Sequence, residues 1–407
     1  MSRHRQNLLN IFNHALLAVN GRHCVATALR EAPVNGPVVV IAIGKAAASM
    51  ARGAEEVLGE QITDGLVITK YGHTGACRLT CLEAAHPVPD ENSLVAGQAL
   101  LDCLARNPQA TTFLFLISGG ASALVEVLPE GMDSGDLARI NDWLLGSGLD
   151  IARMNRVRKS VSMIKGGRLA TYLAGRATVG LLISDVIGDD PAVIGSGLLA
   201  ATPADIMGLA DINLPGWFSA LSELAGPMPA ASDPCFETIR LNVIASLNMA
   251  CSAAAHKADA LGYDVFLHPD LFCCDAESTG VRLATAVMRG ANILHIWGGE
   301  TVVELPAQPG RGGRNQHLAL AAAISLQGHP DCLLLAAATD GTDGPTPDAG
   351  ALVDGETLAR GELSGVNAQA CLQAFDAGSF LEASGDLINT GPTGTNVMDI
   401  VLGLKTH

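Results

Sequence analysis

Short apolar runs alternate along the chain with longer segments in which apolar residues recur at helical spacing. The β-branched run 38–43 lies between Pro37 and Gly44, which is typical of a strand buried on both faces. The segment 46–58 that follows predicts a helix. Further strands are predicted at residues 66–69, 80–84, 112–117, 179–184, 241–245, 265–267, 293–297 and 332–338. Further helices are predicted at residues 93–106, 136–145, 151–165, 250–261, 282–289 and 317–326.

This alternation predicts the fold class and the division into domains. Strands that alternate with helices are typical of a parallel β-sheet with helices on both faces. The Pro- and Ala-rich segment 226–234 is the best candidate for a linker. We therefore expect two α/β domains, at residues 1–235 and 236–407, with a cleft between them.

Composition and charge exclude several classes of partner. The 407 residues are 48% hydrophobic and 16% charged, as in a globular chain of about two or three domains. The formal net charge of −16 disfavours binding to nucleic acid or to an anionic membrane. No apolar run approaches the ~18 residues of a membrane span, and polar residues interrupt the N-terminal segment, which predicts an amphipathic surface helix rather than a signal peptide. The ten cysteines are scattered and form no C-x-x-C, so we expect a cytoplasmic location.

The turn after the first strand combines a glycine with a lysine at the start of a helix. Gly44 and Lys45 lie beyond the carboxyl end of that strand, where doubly wound sheets bind ligands. Free N–H groups at a helix start, together with an ammonium group, would suit a phosphate. The string is not a Walker A loop, because strand residues precede Gly44 and no Ser or Thr follows Lys45. A surface lysine after a tight turn is the alternative.

The loop after the strand at 112–117 is rich in glycine and serine. Gly119 and Gly120 would let the backbone approach a ligand closely, and Ser118 and Ser122 add hydroxyl groups. These features predict an anion-binding loop. The string lacks G-x-S-x-G, so a hydrolase nucleophile elbow is not supported. An ordinary strand-to-helix turn is the alternative.

Residues 153–168 carry six cations and no carboxylate, which reverses the acidic composition locally. On one continuous helix, Arg158, Ser162 and Lys165 would form a stripe beside the apolar face. We expect Arg158 and Lys165 to attract a phosphate or a carboxylate. A solvated basic surface is the alternative.

Carboxylates follow the strand at 179–184. Asp185 and Asp189 lie in an acidic string near the cationic segments, which predicts Mg²⁺ held together with phosphate oxygens. The formation of a turn alone is the alternative.

Glycines also surround an arginine in the C-terminal half. Arg314 and Asn315 follow the string GRGG at 310–313 and open a helix, where a guanidinium can bind a carboxylate or phosphate through two nitrogens. A flexible hairpin tip is the alternative. The acidic string at 339–345 lacks the spacing of an EF-hand, so Ca²⁺ binding of that kind is not predicted.

Together these groups favour phosphoryl transfer over hydride transfer. Phosphoryl transfer needs mainly positioning and neutralisation of charge, which lysine, arginine and glycine-rich loops supply. A nicotinamide-dependent enzyme would instead carry G-x-G-x-x-G after its first strand, whereas the turn here has the single glycine Gly44.

The chain resembles the MOFRL-type glycerate 2-kinases over nearly its full length. The resemblance rests on strings in one order: IAIGKAAASMA (41–51), AAHPVPDENS (84–93), ISGGASAL (117–124), RKSVSMIKGGRLA (158–170), ISDVIGDDPAVIGSG (183–197), GGETVVEL (298–305), GRGGRNQHLAL (310–320), TDGTDGPTPDAGA (339–351) and TGPTGTNVMDIVL (390–402). It implies a Rossmann-like N-terminal domain, a smaller α/β C-terminal domain and an active site in the cleft between them.

The resemblance also implies a reaction, namely ATP- and Mg²⁺-dependent phosphorylation of D-glycerate at its 2-hydroxyl to give 2-phosphoglycerate. The family's catalytic lysine and arginine map to Lys45 and Arg314. Lys45 is expected to stabilise charge on the transferring phosphoryl group, and Arg314 to orient glycerate or the γ-phosphate. The partners implied are small molecules, with no nucleic acid and no membrane, and a homodimer is compatible with the sequence.

The sequence departs from the family pattern at one place and leaves alternatives open. Cys274-Asp275-Ala276 stands where a Gly-Glu-Ala string is expected, so a ligand role for Asp275 or Glu277 stays open. Family members have also been labelled hydroxypyruvate reductases, and an NAD(P)H-dependent reductase is the alternative function. A nucleotide sensor without catalysis is a third possibility, against which the presence of Lys45 and Arg314 argues.

Overall fold

The computed structural model describes residues 2–107, 111–173, 175–203, 208–289 and 292–406. The chain divides into two compact units, Gly21–Ala245 and the pair of segments Met1–Asn20 and Ser246–His407. The division lies after residue 245 rather than at the predicted 235/236, because the strand Ile239–Ala245 belongs to the first sheet. The segment 226–234 lies inside the unit Gly21–Ala245, so the prediction that it links two domains is wrong.

The strands and helices are numbered in chain order. The strands are β1 (Val38–Ile43), β2 (Ile62–Lys70), β3 (Thr80–Ala84), β4 (Thr112–Ile117), β5 (Thr178–Ile183), β6 (Ile239–Ala245), β7 (Asp264–Leu267), β8 (Ile293–Gly299), β9 (Cys332–Ala338), β10 (Gly350–Asp354), β11 (Leu387–Ile388) and β12 (Asp399–Lys405). The helices are α1 (Arg3–Ala18), α2 (Gly21–Glu31), α3 (Ala47–Leu58), α4 (Glu91–Arg106), α5 (Ala121–Leu124), α6 (Ser134–Gly146), α7 (Ile151–Ser160), α8 (Arg168–Tyr172), α9 (Phe218–Leu224), α10 (Leu247–Ala260), α11 (Ala276–Arg289), α12 (Arg314–Leu326), α13 (Thr357–Leu363), α14 (Ala368–Gln373) and α15 (Ala377–Ser384).

The sheet of the unit Gly21–Ala245 is parallel throughout, with strand order β3-β2-β1-β4-β5-β6. All six residues of β1 are buried, as the uninterrupted apolar run predicts for a central strand covered on both faces. The strand order is that of the Rossmann-like doubly wound folds, so the predicted fold class is confirmed for this unit. In this order the direction of winding reverses between β1 and β4, and the carboxyl ends of these two strands therefore mark the switch point of the sheet.

The second sheet is mixed, with strand order β11-β10-β9-β12-β8-β7. The predicted alternation of strands and helices holds for β7, β8 and β9, which run in one direction. However, β12 lies antiparallel between β8 and β9, and β10 lies antiparallel on the other side of β9. The alternation of local patterns does not reveal this arrangement, because β12 is distant in sequence from both of its partners.

The N-terminal segment forms helix α1, as its amphipathic pattern predicts. Its apolar face buries Leu8, Ile11 and Phe12. The Arg5 guanidinium pairs with Asp354 and, at 2.6 Å, with Asp386. These contacts place α1 in the same unit as the C-terminal sheet. Among the described helices, none is long and apolar enough to cross a membrane.

Candidate active site

The turns after β1 and β4 are fastened to each other at the switch point of the parallel sheet. The N–H of Lys45 donates to the carbonyl of Gly119 at 2.9 Å, and the N–H of Ala46 donates to the Ser118 hydroxyl at 3.0 Å. Ligands of doubly wound sheets bind at this position. Two of the loops singled out from the sequence therefore form one structure, and Lys45 is fixed at its edge.

Gly44 is required by this close approach. Its φ is +128°, and a Cβ at this position would overlap the Ser118 hydroxyl. The N–H of Gly44 donates to the carbonyl of Ile68 at 3.0 Å. Because the N–H groups of residues 44, 45 and 46 all bond within the protein, the prediction that they are free for a phosphate is wrong. The fully buried Ser118 hydroxyl is likewise engaged in holding the turn.

The side chain of Lys45 passes beside Gly120. A Cβ on Gly120, whose φ is +84°, would lie 3.2 Å from Lys45 Cγ and 3.0 Å from His86 Cδ2. Gly120 therefore leaves room for Lys45 and His86 to converge on one point. His86 follows β3, so the loops after β1, β3 and β4 meet here.

A cavity of about 380 Å³ opens next to Gly120 within the unit Gly21–Ala245. Its volume is in the range of small-molecule sites. The polar residues of its wall are His86, Ser122, Glu126, Asn141, Asn155, Arg158, Lys165, Asp185 and Ser196. Apolar residues, which include Leu137, Ile140 and Met154, also line the cavity. Five predicted site residues thus line one cavity, namely Gly120, Ser122, Arg158, Lys165 and Asp185.

Helix α7 is shorter than predicted, which changes the position of Lys165. The helix ends at Ser160 rather than near residue 165, because the Ser162 hydroxyl accepts the N–H groups of Ile164 and Lys165, at 3.3 and 3.2 Å, and forms a turn. The predicted helical stripe of Arg158, Ser162 and Lys165 is therefore wrong. Lys165 reaches the cavity from the turn after α7.

Lys165 is almost completely buried and forms an ion pair with Glu126. Both side chains are 2% exposed. The Ser162 hydroxyl donates to the other carboxylate oxygen of Glu126 at 2.5 Å. Sequence reasoning missed Glu126, although a single carboxylate in the apolar segment 121–129 is a signal of a buried, paired charge.

Most of the other cations of the basic segment are also bound within the protein. Arg153 and Arg156 pair with Asp211. The buried Lys159 donates to the carbonyl of Ala192 at 2.9 Å and to the Thr202 hydroxyl at 3.2 Å. Arg168, also buried, donates to the carbonyls of Lys159 and Gly226. Among these described residues, the alternative of a solvated basic surface fits the exposed Arg153 but not the buried Lys159 and Arg168.

Arg158 differs from these neighbours. Its guanidinium is half-buried in the cavity wall, and its one described hydrogen bond goes to the Asn155 side-chain oxygen at 3.3 Å. Within the part of the chain that the structure describes, no carboxylate pairs with it. Burial consequently lowers the pKa of Arg158, with no opposing anion to restore it.

Two serines face each other in the same wall. The hydroxyls of Ser122 and Ser196 lie 2.7 Å apart. Ser196 belongs to the string Gly195-Ser196-Gly197, whose three residues all have positive φ. Both serines line the same cavity as Gly120.

The carboxylates in the acidic string after β5 differ in what they contact. Asp185 lines the cavity, whereas Asp190 accepts the N–H of Ala192 at 2.8 Å and stabilises a turn. Asp189, at φ +53°, lies in that turn. The described residues contain no cluster of three or more metal-ligating side chains. In phosphate sites, Mg²⁺ is commonly held by only one or two carboxylates, so Asp185 is suited to be a ligand of such an ion. The role of Asp189 stays a prediction.

Arg314, in the other unit, is held by two carboxylates. Its guanidinium binds Asp399 through two nitrogens, at 2.6 and 2.9 Å, and a third nitrogen lies 2.7 Å from Glu300. Burial acts to lower the pKa of Arg314, but the adjacent charge of Asp399 outweighs burial and raises it. Arg314 is thus a permanently charged group in a fixed orientation.

Asp343 caps helix α12 directly beside Arg314. Its carboxylate accepts the N–H of Asn315 at 3.0 Å and the N–H of Gln316 at 2.8 Å. A Cβ on Gly313 would overlap Asp343, which explains the glycine before Arg314 and excludes a flexible hairpin tip. Asn315 is fully buried, and none of the described residues forms a hydrogen bond with its side-chain oxygen.

The buried Asp343 predicts a specific pH dependence of stability. Burial raises the pKa of Asp343 to about 7, although the N–H groups of Gln316 and Asn315 act to lower it. An unfolded aspartate titrates near about 3.9, so between about pH 4 and 7 the folded chain binds more protons and stability falls as the pH rises. The free energy of unfolding of the wild type, measured in urea, should therefore fall over this range relative to that of Asp343→Asn. Parallel curves for the two proteins would contradict this assignment.

Comparison with known proteins identifies two family regions in the chain. Residues 7–212 match the model of a domain of unknown function, DUF4147, and residues 293–399 match the MOFRL family model. The first region contains Lys45 and all the residues of the cavity wall, and the second contains Arg314 and Asp399.

Full-length relatives agree with these matches. A D-glycerate 2-kinase of Thermotoga maritima is 37% identical over 382 residues, which cover 90% of each chain. A protein of Agrobacterium vitis, named as a provisional hydroxypyruvate reductase, is 37% identical over 97% of this chain and 93% of its own length. The crystal structure of a glycerate kinase from Thermotoga maritima covers 99% of both chains with a TM-score of 0.85 and 34% identity.

Proposed function

Because the chain belongs to the MOFRL-type glycerate kinase family and is an enzyme of that class, we propose that it transfers the γ-phosphoryl group of ATP to the 2-hydroxyl of D-glycerate. The products are then 2-phosphoglycerate and ADP. A cytoplasmic location and a homodimeric state remain predictions from the sequence.

One observation carries this proposal. The turn that holds Lys45 is locked to the turn after β4 at the switch point, next to a cavity of about 380 Å³ whose wall contains two hydroxyls, two carboxylates, a guanidinium and an ammonium group. Phosphoryl transfer needs a fixed cation near the transferring group more than it needs covalent chemistry from the protein. An ammonium group beside a small polar cavity meets that need.

The proposed roles follow from the position of each residue. Lys45 neutralises charge on the transferring phosphoryl group, and the loop of Ser118, Gly119 and Gly120 holds it in place. Asp185 would hold Mg²⁺, which when bound supplies positive charge to the phosphate oxygens. For Arg314 we retain the predicted role of orienting an anionic substrate, since its two carboxylate partners fix its guanidinium.

A single set of assays tests this function. The protein is incubated with ATP, Mg²⁺ and D-glycerate, ADP is followed by a coupled reaction, and the product is identified by ³¹P NMR. ADP formation that depends on D-glycerate, with a 2-phosphoglycerate signal, supports the proposal. A 3-phosphoglycerate signal overturns the assigned hydroxyl. Oxidation of NADH by hydroxypyruvate without ATP, and no ADP formation, would replace the kinase with the reductase alternative.

A further inference from the structure

We propose that Arg158 binds the carboxylate of the phosphoryl acceptor and so makes the cavity selective for a hydroxy acid over a neutral polyol. This inference rests on the proposed function, since it assigns the acceptor to the cavity next to Lys45. It assigns to one residue a contact with one functional group of the substrate.

The pairing of charges in the cavity wall supports this assignment. The two cations of the wall are Arg158 and Lys165. Lys165 is neutralised by Glu126, whereas Arg158 has only the neutral Asn155 as a described partner. The carboxylate of Asp185 lies in the same wall, and the ion pairs described for the chain include none between Asp185 and Arg158. Burying part of a guanidinium without a paired anion costs free energy. The presence of Arg158 in the wall therefore indicates that an anionic ligand binds to it.

The size of the unmatched charge favours a carboxylate. One guanidinium balances one negative charge, as on the carboxylate of a small acid, and binds it through two parallel hydrogen bonds. A nucleoside triphosphate carries several negative charges, and its binding needs a metal ion and several cationic side chains. The remaining polar groups of the wall, the Ser122 and Ser196 hydroxyls, would suit the hydroxyl groups of the same acceptor.

The neighbouring arginine Arg153 provides a matched control. It lies on the same helix and carries the same charge, but it is 47% exposed and pairs with Asp150 and Asp211. Arg158→Met and Arg153→Met therefore remove the same formal charge from α7 at two different places. Arg158→Lys keeps the charge and removes the two-nitrogen geometry.

The experiment compares two acceptors with the same carbon skeleton, one with a carboxylate and one with a neutral amide. For each variant, kcat/KM is measured with D-glycerate and with D-glyceramide, its neutral amide, and KM is measured for ATP. Arg158→Met should lower kcat/KM for D-glycerate by about 10²-fold or more, because a site built for a specific polar contact discriminates at this level or above. Its values for D-glyceramide and for ATP should stay within about threefold. Arg158→Lys should lie between, and Arg153→Met should match the wild type.

Two results would overturn the inference. An equal loss with both acceptors would mean that Arg158 does not contact the carboxylate. A raised KM for ATP with an unchanged KM for D-glycerate would place Arg158 at a phosphate of the nucleotide. A folding defect is excluded by the melting temperature, which should be unchanged or higher in Arg158→Met, since the variant removes a desolvated charge without a partner.

A binding measurement separates this inference from the proposed function. D-Glycerate is titrated calorimetrically into the full chain, wild type and Arg158→Met, without nucleotide. Binding by the wild type that is weakened by about 10²-fold in the variant supports the role of Arg158 even if no ADP is formed, in which case only the proposed function fails. ADP formation with equal affinities in the two proteins leaves the proposed function intact and removes the inference.

Discussion

Replacement of Lys45 by methionine should lower kcat by about 10³-fold and leave the fold intact. A preorganised cation that stabilises charge in the transition state typically contributes about 10²–10³-fold, and phosphoryl transfer depends on this kind of stabilisation. The backbone of Lys45 holds the turn through its bond to the Gly119 carbonyl, and this bond does not involve the side chain. The measurement is steady-state ADP formation with saturating D-glycerate and ATP, together with the melting temperature.

Two further variants sharpen this test. Arg52→Met removes a cation from α3, the helix that follows the turn of Lys45, and should retain wild-type kcat. Lys45→Arg keeps the charge but not the compact ammonium, so its kcat should fall between those of Lys45→Met and the wild type. Wild-type turnover in Lys45→Met would remove Lys45 from the reaction and leave the proposed mechanism without its central cation.

The parts of this site that could be predicted from the sequence are those set by local physics. The buried strand β1, the turn at Gly44 and the helix α3 follow from one apolar run, one glycine and one helical period. The carboxyl ends of parallel strands share one edge of the sheet, and the wall of the cavity accordingly contains Gly120, which follows β4, and Asp185, which follows β5. The family itself followed from the order of the strings, and the matched family models confirm it.

The parts that could not be predicted depend on partners distant in sequence. The Ser118 hydroxyl accepts the N–H of Ala46 and so stabilises a turn. The string SGGAS alone predicts instead that this hydroxyl binds a ligand. Lys165 pairs with Glu126, from which two helices, α6 and α7, separate it in the sequence. In the same way β12 inserts between β8 and β9 although nothing in its own apolar pattern specifies that position. Charge counts along a segment therefore overestimate the cations available to a ligand, and the structure reduces six candidates in 153–168 to Arg158.

The ion pair of Lys165 and Glu126 leads to the largest expected effect on stability. Lys165→Met should lower the free energy of unfolding by about 3–5 kcal/mol, because it leaves the Glu126 carboxylate buried without its counter-ion. Thermal unfolding should shift down by about 10 °C. The measurement is urea and thermal denaturation of the full chain, with Arg153→Met, which removes an exposed cation, as the control.

A double variant determines whether Lys165 has a structural role or binds substrate. Lys165→Met combined with Glu126→Gln removes both charges and keeps an oxygen to accept the Ser162 hydroxyl, so most of the lost stability should return. If Lys165 instead binds substrate, the single variant should keep its melting temperature and lose affinity for an anionic substrate. A stable single variant with a raised KM would thus contradict the structural role, whereas recovery in the double variant shows that the positive charge of Lys165 serves Glu126. In that case Arg158 is the cation of the cavity wall that remains available to bind a ligand.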